Sequence, residues 1–182
     1  VAHIEGNPSH QVVSMALEAL ANHAHRGALA ADGKTSDGAG LMVQTPRRFF
    51  QKIYQSLYGK PVPAQNWAVG SIYLPLGDAR GRSQARRCLE ECLRELGLEP
   101  LGWREVPLDL DVLGQRALSI RPHMQNLFVG QGQAQHFENA LYQARRRAER
   151  ILREAKIHED FYIASLSSHS VTYKGLCRAD QL

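Results

Sequence analysis

The sequence predicts a layered fold in which β-strands alternate with α-helices. Apolar residues recur at three- and four-residue steps in several stretches, which is typical of amphipathic helices. Short apolar runs bounded by Gly and Pro lie between these stretches and predict strands. The last two strand candidates are separated by residues 167–170 alone, which predicts a hairpin and a sheet that is at least partly antiparallel.

The N-terminal region predicts a strand remnant followed by a helix. Val1 to Ile4 is a short apolar stub that predicts the end of a strand. Asn7 then caps a helix whose first position is Pro8, where the missing N–H is not needed. The apolar stripe of this helix consists of Val13, Ala16, Leu17, Leu20 and Ala24.

A glycine-rich loop, residues 25–40, follows and returns to a strand over 41–43. Pro46 begins a second helix that ends at Tyr58, and residues 67–74 predict the next strand. A third helix ends before a glycine, and its predicted buried stripe is Ala85, Cys88, Leu89, Cys92, Leu93 and Leu96.

Residues 101–106 and 126–129 are further strand candidates, with an irregular segment between them. A long helix follows. Its predicted stripe consists of Phe137, Leu141, Ala144, Ala148, Ile151 and Ala155. Strands over 161–166 and 171–174 close the chain, which at 182 residues fits one domain.

Composition argues against several functional classes. The net charge is +4, and the densest basic cluster, Arg145 to Arg153, is interspersed with Glu149 and has no recognition motif beside it. We therefore interpret it as a solvated helix face and predict no nucleic-acid partner. No apolar run approaches the ~20 residues that span a bilayer. Together with the absence of a signal pattern at Val1 to Gly6, this predicts a cytoplasmic protein without a membrane partner.

The three cysteines predict neither a disulfide framework nor a metal site. Their number is odd, and Cys88 and Cys92 lack further ligands at a familiar spacing. Free cysteine behaves as a small buried hydrophobe, so this pair is expected in the core. Cys177, next to Arg178, is interpreted as a surface thiol without a role.

The glycine-rich loop, HRGALAADGKTSDGAG, is the most informative segment of the chain. It is long for a compact domain, and loops of this length are frequently functional. Arg26 and Asp37 each stand directly before a glycine, which lets other groups approach the backbone closely. The pattern suits a site for a small polar ligand, although scaffolding explains the composition equally well. Gly33-Lys34-Thr35 is not a P-loop, because the earlier glycine and the preceding strand are missing.

These residues resemble a known family. HRGA at 25–28 and ADGKTSDGAG at 31–40 are similar to the HRGA, AD and TGDGAG motifs in the amidotransferase domain of the glutamate synthase large subunit. Further ordered matches are the helix SHQVVSMALEALANHAHRG, Gln44-Thr45-Pro46, Phe49-Phe50, GWREVP at 102–107, Arg121-Pro122, and FYIASLSS with TYKG over 161–175. The ordered set spans nearly the whole chain.

The resemblance implies an α+β fold: a four-layer αββα sandwich of the N-terminal-nucleophile (Ntn) hydrolase type, with mainly antiparallel sheets, here incomplete. Residues 1–182 would be part of a type-2 glutamine amidotransferase domain that releases ammonia from L-glutamine. The family's nucleophile is an N-terminal cysteine, expected upstream of Val1, whose α-amino group acts as base. No catalytic residue is therefore expected in this chain, which is predicted to be inactive alone. The family's oxyanion Asn–Gly pair and second substrate arginine would lie beyond Leu182.

Within this chain the resemblance implies four residues beside the substrate: Arg26, Gly27, Asp37 and Gly38. Arg26 is predicted to orient the terminal cysteine through charge-assisted bonds, or alternatively only to pin its own loop. Asp37 is predicted to hold the loop by accepting backbone N–H groups. Ser36 departs from the glycine that is usual in the family.

The resemblance also implies cofactors and partners. FMN and an iron–sulfur cluster are expected downstream, with no cofactor or metal on this segment. The expected partners are L-glutamine, the synthase domain of the same polypeptide, and a small reductase subunit or ferredoxin. Two alternatives stay open: a non-catalytic regulatory or interaction module of the same fold, and another type-2 amidotransferase.

Overall fold

A computed structural model describes residues 3–7, 9–156 and 161–182. The chain divides into two units, each with its own packing. The first unit comprises Val1–Val43, Pro107–Arg121 and Thr172–Leu182, and the second comprises Gln44–Val106 and Pro122–Val171. Each unit is described by itself below.

Five α-helices and six strands make up the described part of the chain. The helices are α1 (His10–Asn22), α2 (Arg47–Tyr58), α3 (Ala79–Glu95), α4 (Gln115–Ile120) and α5 (Phe137–Glu154). The strands are β1 (Ala39–Gln44), β2 (Trp67–Leu74), β3 (Glu99–Glu105), β4 (His123–Gly130), β5 (Tyr162–Ser167) and β6 (Ser170–Gly175). Among these described helices, none is both long enough and apolar enough to cross a membrane.

The second unit is built on a four-stranded sheet with the strand order β3-β4-β2-β5. Every neighbouring pair in it is antiparallel, which confirms the predicted α+β class with mainly antiparallel sheets. β2 has the predicted bounds and is the most buried strand, since all of its residues except Tyr73 are buried. It pairs with β4 from Trp67↔Gly130 to Leu74↔His123 without interruption.

α3 and α5 pack against one face of this sheet. The buried cluster combines residues from β2, β4 and β5 with one stripe of each helix; the helix residues are Ala85, Leu89, Cys92, Leu93, Leu141, Ala144, Ala148 and Leu152. The α5 stripe differs from the prediction at its end. Leu152 is 1% exposed, whereas the predicted Ile151 is 38% exposed. Residues three and four positions after Ala148 both lie on its face of a helix, so spacing alone allows either Ile151 or Leu152 to be buried. The direction in which α5 crosses the sheet buries Leu152.

α2 packs through aromatic side chains that meet Phe128 of β4. Because neighbouring side chains of a strand point to opposite faces, Phe128 lies on the face opposite Leu127, which joins the α3–α5 cluster. The rings of Phe50 and Tyr54 contact the Phe128 ring edge-on, with centroids 6.0 and 5.1 Å away. Tyr54 also donates a hydrogen bond to the Leu101 carbonyl (3.2 Å), which ties α2 to β3.

The first unit begins with α1, which starts later than predicted. Ser9 is the N-cap, and its hydroxyl accepts a hydrogen bond from the Gln11 N–H at 3.2 Å. Pro8 and the Val1–Ala2 part of the predicted strand remnant lie outside the described residues. The expected continuation of that strand to Ile4 is wrong, because residues 4 and 5 form a turn. The α1 stripe is only half-buried.

The predicted C-terminal hairpin is wrong. β5 pairs with β2 in the four-stranded sheet, whereas β6 pairs with β1 in a separate two-stranded sheet. Only Ser168 and His169 separate β5 from β6, so the chain moves from one sheet to the other within two residues. A short connection therefore joins two sheets here instead of closing one hairpin.

A tight turn inside the glycine-rich loop is closed by Asp32. Its Oδ1 accepts the backbone N–H groups of Lys34 (3.0 Å) and Thr35 (2.7 Å), and its Oδ2 accepts the Thr35 hydroxyl (2.6 Å). The Thr35 oxygen in turn accepts the Ala117 N–H at 3.3 Å, which links the turn to α4, a helix that the sequence did not predict. The Thr35 hydroxyl, then the Thr35 and Lys34 amides, lower the pKa of Asp32 from 3.8 to about 2.

Two adjacent substitutions test the observed orientation of α5. Leu152→Ala removes a fully buried side chain and should lower the free energy of unfolding by about 2–5 kcal/mol. Ile151→Ala, its matched control, should cost less than about 1 kcal/mol because Ile151 is partly exposed. Urea unfolding followed by circular dichroism measures both, and equal losses would contradict the observed stripe.

Asp32 should make the first unit sensitive to acid. Because its folded-state pKa lies below the unfolded value, its stabilising contribution is complete above about pH 4 and disappears as the pH falls through about 2. Asp32→Asn should therefore lower the thermal midpoint at neutral pH, and the difference from the unsubstituted chain should shrink toward pH 2. Asp111→Asn, at an exposed aspartate of the same unit, is the control. A constant difference across this range would contradict the assignment.

Candidate functional site

The glycine-rich loop folds back on itself through main-chain hydrogen bonds. The Ala30 N–H donates to the Thr35 carbonyl (2.8 Å), and the Asp37 N–H donates to the Ala28 carbonyl (3.2 Å). Leu29 and Ser36 form an isolated antiparallel bridge between these two bonds. The loop is thus a narrow hairpin, and its two ends, which carry the predicted site residues, lie side by side.

This closure brings Gly27 and Asp37 together. A Cβ atom placed on Gly27 would lie 3.1 Å from Asp37 Oδ1, so the absence of a side chain at residue 27 lets the carboxylate lie against the main chain. The predicted task of Asp37, accepting backbone N–H groups of the loop, is performed by Asp32 instead. Asp37 is exposed.

Arg26 ends a short 3₁₀ turn, Ala24–Arg26, that follows α1. The Arg26 N–H donates to the His23 carbonyl at 2.9 Å, which fixes the main chain at this residue. The side chain is exposed, and its guanidinium has no hydrogen-bond or ion-pair partner within residues 3–7, 9–156 and 161–182. Pinning of the loop by this side chain, the alternative role, is therefore not seen in the described structure.

Gly38 stands at a crowded point of the main chain in the first unit. Its φ of +112° is a conformation that residues with side chains rarely adopt, and a Cβ atom there would lie 3.0 Å from the Gly175 carbonyl oxygen. The start of β1 therefore passes directly against the end of β6. Gly38 is needed for the shape of the loop, which accounts for its place in the motif without any contact to a ligand.

Ser36 and Cys177 form a long-range link that sequence reasoning missed. The Ser36 hydroxyl donates to the Cys177 carbonyl (2.7 Å) and accepts the Gly38 N–H (3.1 Å). Cys177 is 8% exposed, so its interpretation as a surface thiol is wrong. Its side chain is buried beneath the loop, and its main chain holds the loop through Ser36.

The two histidines near Arg26 form hydrogen bonds at the C-terminal end of α1. The Nδ1 atom of His23 lies 2.7 Å from the Ala19 carbonyl oxygen, and that of His25 lies 2.9 Å from the Asn22 carbonyl oxygen. Since a carbonyl only accepts, both Nδ1 atoms carry hydrogen and donate. Both rings thus satisfy carbonyls that a helix end leaves without partners.

The thiols of the chain are held in the protonated state. Burial, followed by the neighbouring Cys92, raises the pKa of Cys88 to about 12, and burial also raises the pKa of Cys177. Since the thiolate is the nucleophile and the metal ligand, neither cysteine is poised for such chemistry. Within the described ranges, no group of three or more His, Cys, Asp or Glu residues could hold a metal ion. An iron–sulfur cluster does not fit these cysteines.

The glycine-rich loop and Arg26 together form an exposed polar surface on the first unit. A hairpin with glycines at both ends presents the exposed Arg26 guanidinium, which is unpaired within the described part of the chain. Such a surface can position a carboxylate or a carbonyl oxygen by charge-assisted hydrogen bonds.

Comparison with known proteins shows the family of the chain. A sequence profile of class-II glutamine amidotransferases matches residues 1–182. The chain is 39% identical over 185 residues to the NADPH glutamate synthase large chain of Azospirillum brasilense, covering 100% of this chain and 12% of that protein. It is 36% identical over 183 residues to ferredoxin-dependent glutamate synthase 2 of Synechocystis sp., covering 98% of this chain and 11% of that protein.

The chloroplastic ferredoxin-dependent glutamate synthase of Oryza sativa subsp. japonica is 34% identical over 185 residues, again with 100% of this chain and 11% of the relative covered. The chain thus spans about a tenth of the length of these relatives. Because the family profile covers every residue, the chain belongs to the class-II glutamine amidotransferases, and it is homologous to the amidotransferase portion of glutamate synthase large chains.

Proposed function

We propose that this chain is part of the glutaminase domain of a glutamate synthase, which releases ammonia from L-glutamine for the reductive amination of 2-oxoglutarate. The observation that carries the proposal is the exposed Arg26, unpaired among the described residues, on a hairpin held entirely by other residues. A buried or ion-paired arginine would be a scaffold element. An exposed arginine next to Gly27, without a partner among the described residues, is suited to a group that this segment does not contain.

In this proposal the nucleophile is a terminal cysteine ahead of Val1, and residues 1–182 are one part of the domain. Arg26 binds an oxygen of the terminal residue or of glutamine and so fixes the approach of the thiolate to the amide carbon. Gly27 leaves room for the carboxylate of Asp37, and Gly38 lets the loop turn into β1. In this proposal Gly27 and Gly38 shape the surface, and Arg26 contacts the reactants.

The same proposal sets the wider context of the chain. Ammonia would pass to a synthase domain of the same polypeptide, downstream of Leu182, where FMN and an iron–sulfur cluster would act. A small reductase subunit or ferredoxin would supply electrons, and the protein would be cytoplasmic. The names of the relatives, one NADPH enzyme and several ferredoxin-dependent enzymes, support the class of reaction without selecting the electron donor.

Glutaminase activity should appear when the missing parts are supplied. A polypeptide in which Cys-Gly-Val-Gly-Phe precedes Val1, and in which the segment encoded after Leu182 is retained, should release ammonia from glutamine, whereas residues 1–182 alone should not. In the active polypeptide, Arg26→Gln should lower kcat/KM about tenfold to a hundredfold, the range expected for one charge-assisted hydrogen bond. Ammonia release in a coupled assay measures this.

Lys34→Gln is the matched control, because it removes an exposed positive charge from the same loop. It should leave kcat/KM within about twofold of the unsubstituted protein, since isolated surface charges contribute little. Hydrolysis of glutamine by the 182 residues alone at the rate of the longer polypeptide would refute the terminal-cysteine mechanism. Equal effects of the two substitutions would refute the role of Arg26.

A further inference from the structure

A polar cleft in the second unit shares no residue with the glycine-rich loop. It has a volume of about 810 Å³ and lies where α2 and α5 begin, at the start of β2 and beside the connection from β5 to β6. Most of its lining side chains are amides, histidines or hydroxyl-bearing residues. Nothing in the amidotransferase proposal uses this cleft.

Arg47 is the fixed cation of the cleft. Its guanidinium lies over the Trp67 ring, 4.2 Å from the ring centroid, and donates a hydrogen bond to the Trp67 carbonyl at 3.3 Å. Trp67 is 1% exposed, so the platform beneath the arginine is rigid. Among the described residues no carboxylate pairs with Arg47. Because a stacked guanidinium is already ordered, it loses little further freedom when an oxyanion binds, and this favours capture of such a group.

Two helices begin at this cleft. Arg47 is the first residue of α2, and Phe137 is the first residue of the 18-residue α5. Neither helix has a side-chain cap hydrogen bond at its N-terminus, so backbone N–H groups of both first turns are left without a capping side chain. The N-terminus of a helix carries partial positive charge and offers N–H donors to anions.

Thr45 gives an independent indication that the cleft binds a ligand. This lining residue is 5% exposed, and its hydroxyl is buried without a hydrogen-bond partner in the described structure. Its main chain is held, since the Thr45 N–H donates to the His169 carbonyl at 2.8 Å. A buried hydroxyl without a partner is unfavourable by about 1–3 kcal/mol, so its presence points to a partner that binds there.

Glu138 is the negative charge of the cleft, and both of its carboxylate oxygens already have hydrogen-bond partners. Its two carboxylate oxygens accept the Ser167 hydroxyl (2.9 Å) and the Ser168 N–H (2.7 Å). Burial of Glu138 opposes ionisation, but the hydrogen bonds from Ser168 and Ser167 outweigh it and hold the pKa below its ordinary value. Glu138 therefore anchors the β5–β6 connection to α5. Arg47 and the N-termini of α2 and α5 supply the positive charge of the cleft.

We propose that this cleft binds a small oxyanion, the carboxylate or phosphate group of a metabolite. Arg47 provides the charge, the first turns of α2 and α5 provide N–H donors, and the Thr45 hydroxyl provides a further bond to the ligand. The amide side chains around them suit the uncharged polar part of such a molecule. The lining of this cleft contains none of the residues assigned above to glutamine hydrolysis.

The proposal can be tested by titrating the 182-residue chain with inorganic phosphate and, separately, with succinate. Chloride keeps the ionic strength constant. The two anions distinguish a phosphate site from a carboxylate site. In ¹H–¹⁵N spectra the amides of Arg47 and of residues 137–139 should shift along a saturable curve with at least one of the two anions. Arg47→Gln should raise the Kd about tenfold or more, as expected for loss of a charge-assisted hydrogen bond.

Thr45→Val is the decisive second variant, because it removes only an unsatisfied group. It should raise the Kd severalfold while leaving the thermal midpoint unchanged or higher. Arg48→Gln, which removes the neighbouring exposed charge from the same helix turn outside the cleft, is the matched control and should leave the Kd unchanged. Shifts that do not saturate with either anion, or equal weakening by Arg47→Gln and Arg48→Gln, would overturn the site.

Discussion

The second unit depends on the double-sided pairing of β2. This strand is bonded to β4 on one edge and to β5 on the other, and its residues are buried on both faces except at Tyr73. Antiparallel partners on both sides satisfy its backbone groups, so the strand can be removed from water with little loss of hydrogen bonding. α3 and α5 then cover one face, and α2 meets the other through Phe128.

The glycine-rich loop is organised by a different kind of constraint, since its shape comes from main-chain bonds and short polar side chains. Asp32, Thr35 and Ser36 act as local crosslinks. The loop contains one arginine, Arg26, whose side chain makes none of these bonds within the described part of the chain.

Much of this fold can be predicted from the sequence, and each wrong prediction has a physical cause. The bounds of β2 are predictable because a mainly apolar run between Pro and Gly signals has few alternatives. The end of the α5 stripe is not, because Ile151 and Leu152 both fit helical spacing from Ala148, and only packing chooses between them. The hairpin prediction failed because the partner of β6 is distant in sequence. The Asp32 turn could be predicted from its Asp-Gly-Lys-Thr pattern, which favours hydrogen bonds from backbone N–H groups to the side chain. The long-range hydrogen bond from Ser36 could not, because no residue near Ser36 in the sequence indicates it.

That bond joins residues 141 positions apart, so it is a strongly non-local contact. A ribosome adds residues from the N-terminus, so the segment carrying Arg26 emerges long before the carbonyl that anchors Ser36 has been made. The hairpin receives its final support only when synthesis has passed residue 177. A nascent chain thus carries the glycine-rich loop without this anchor until Cys177 has been made, and the loop completes its long-range hydrogen bonding only after the C-terminal part of the first unit is in place.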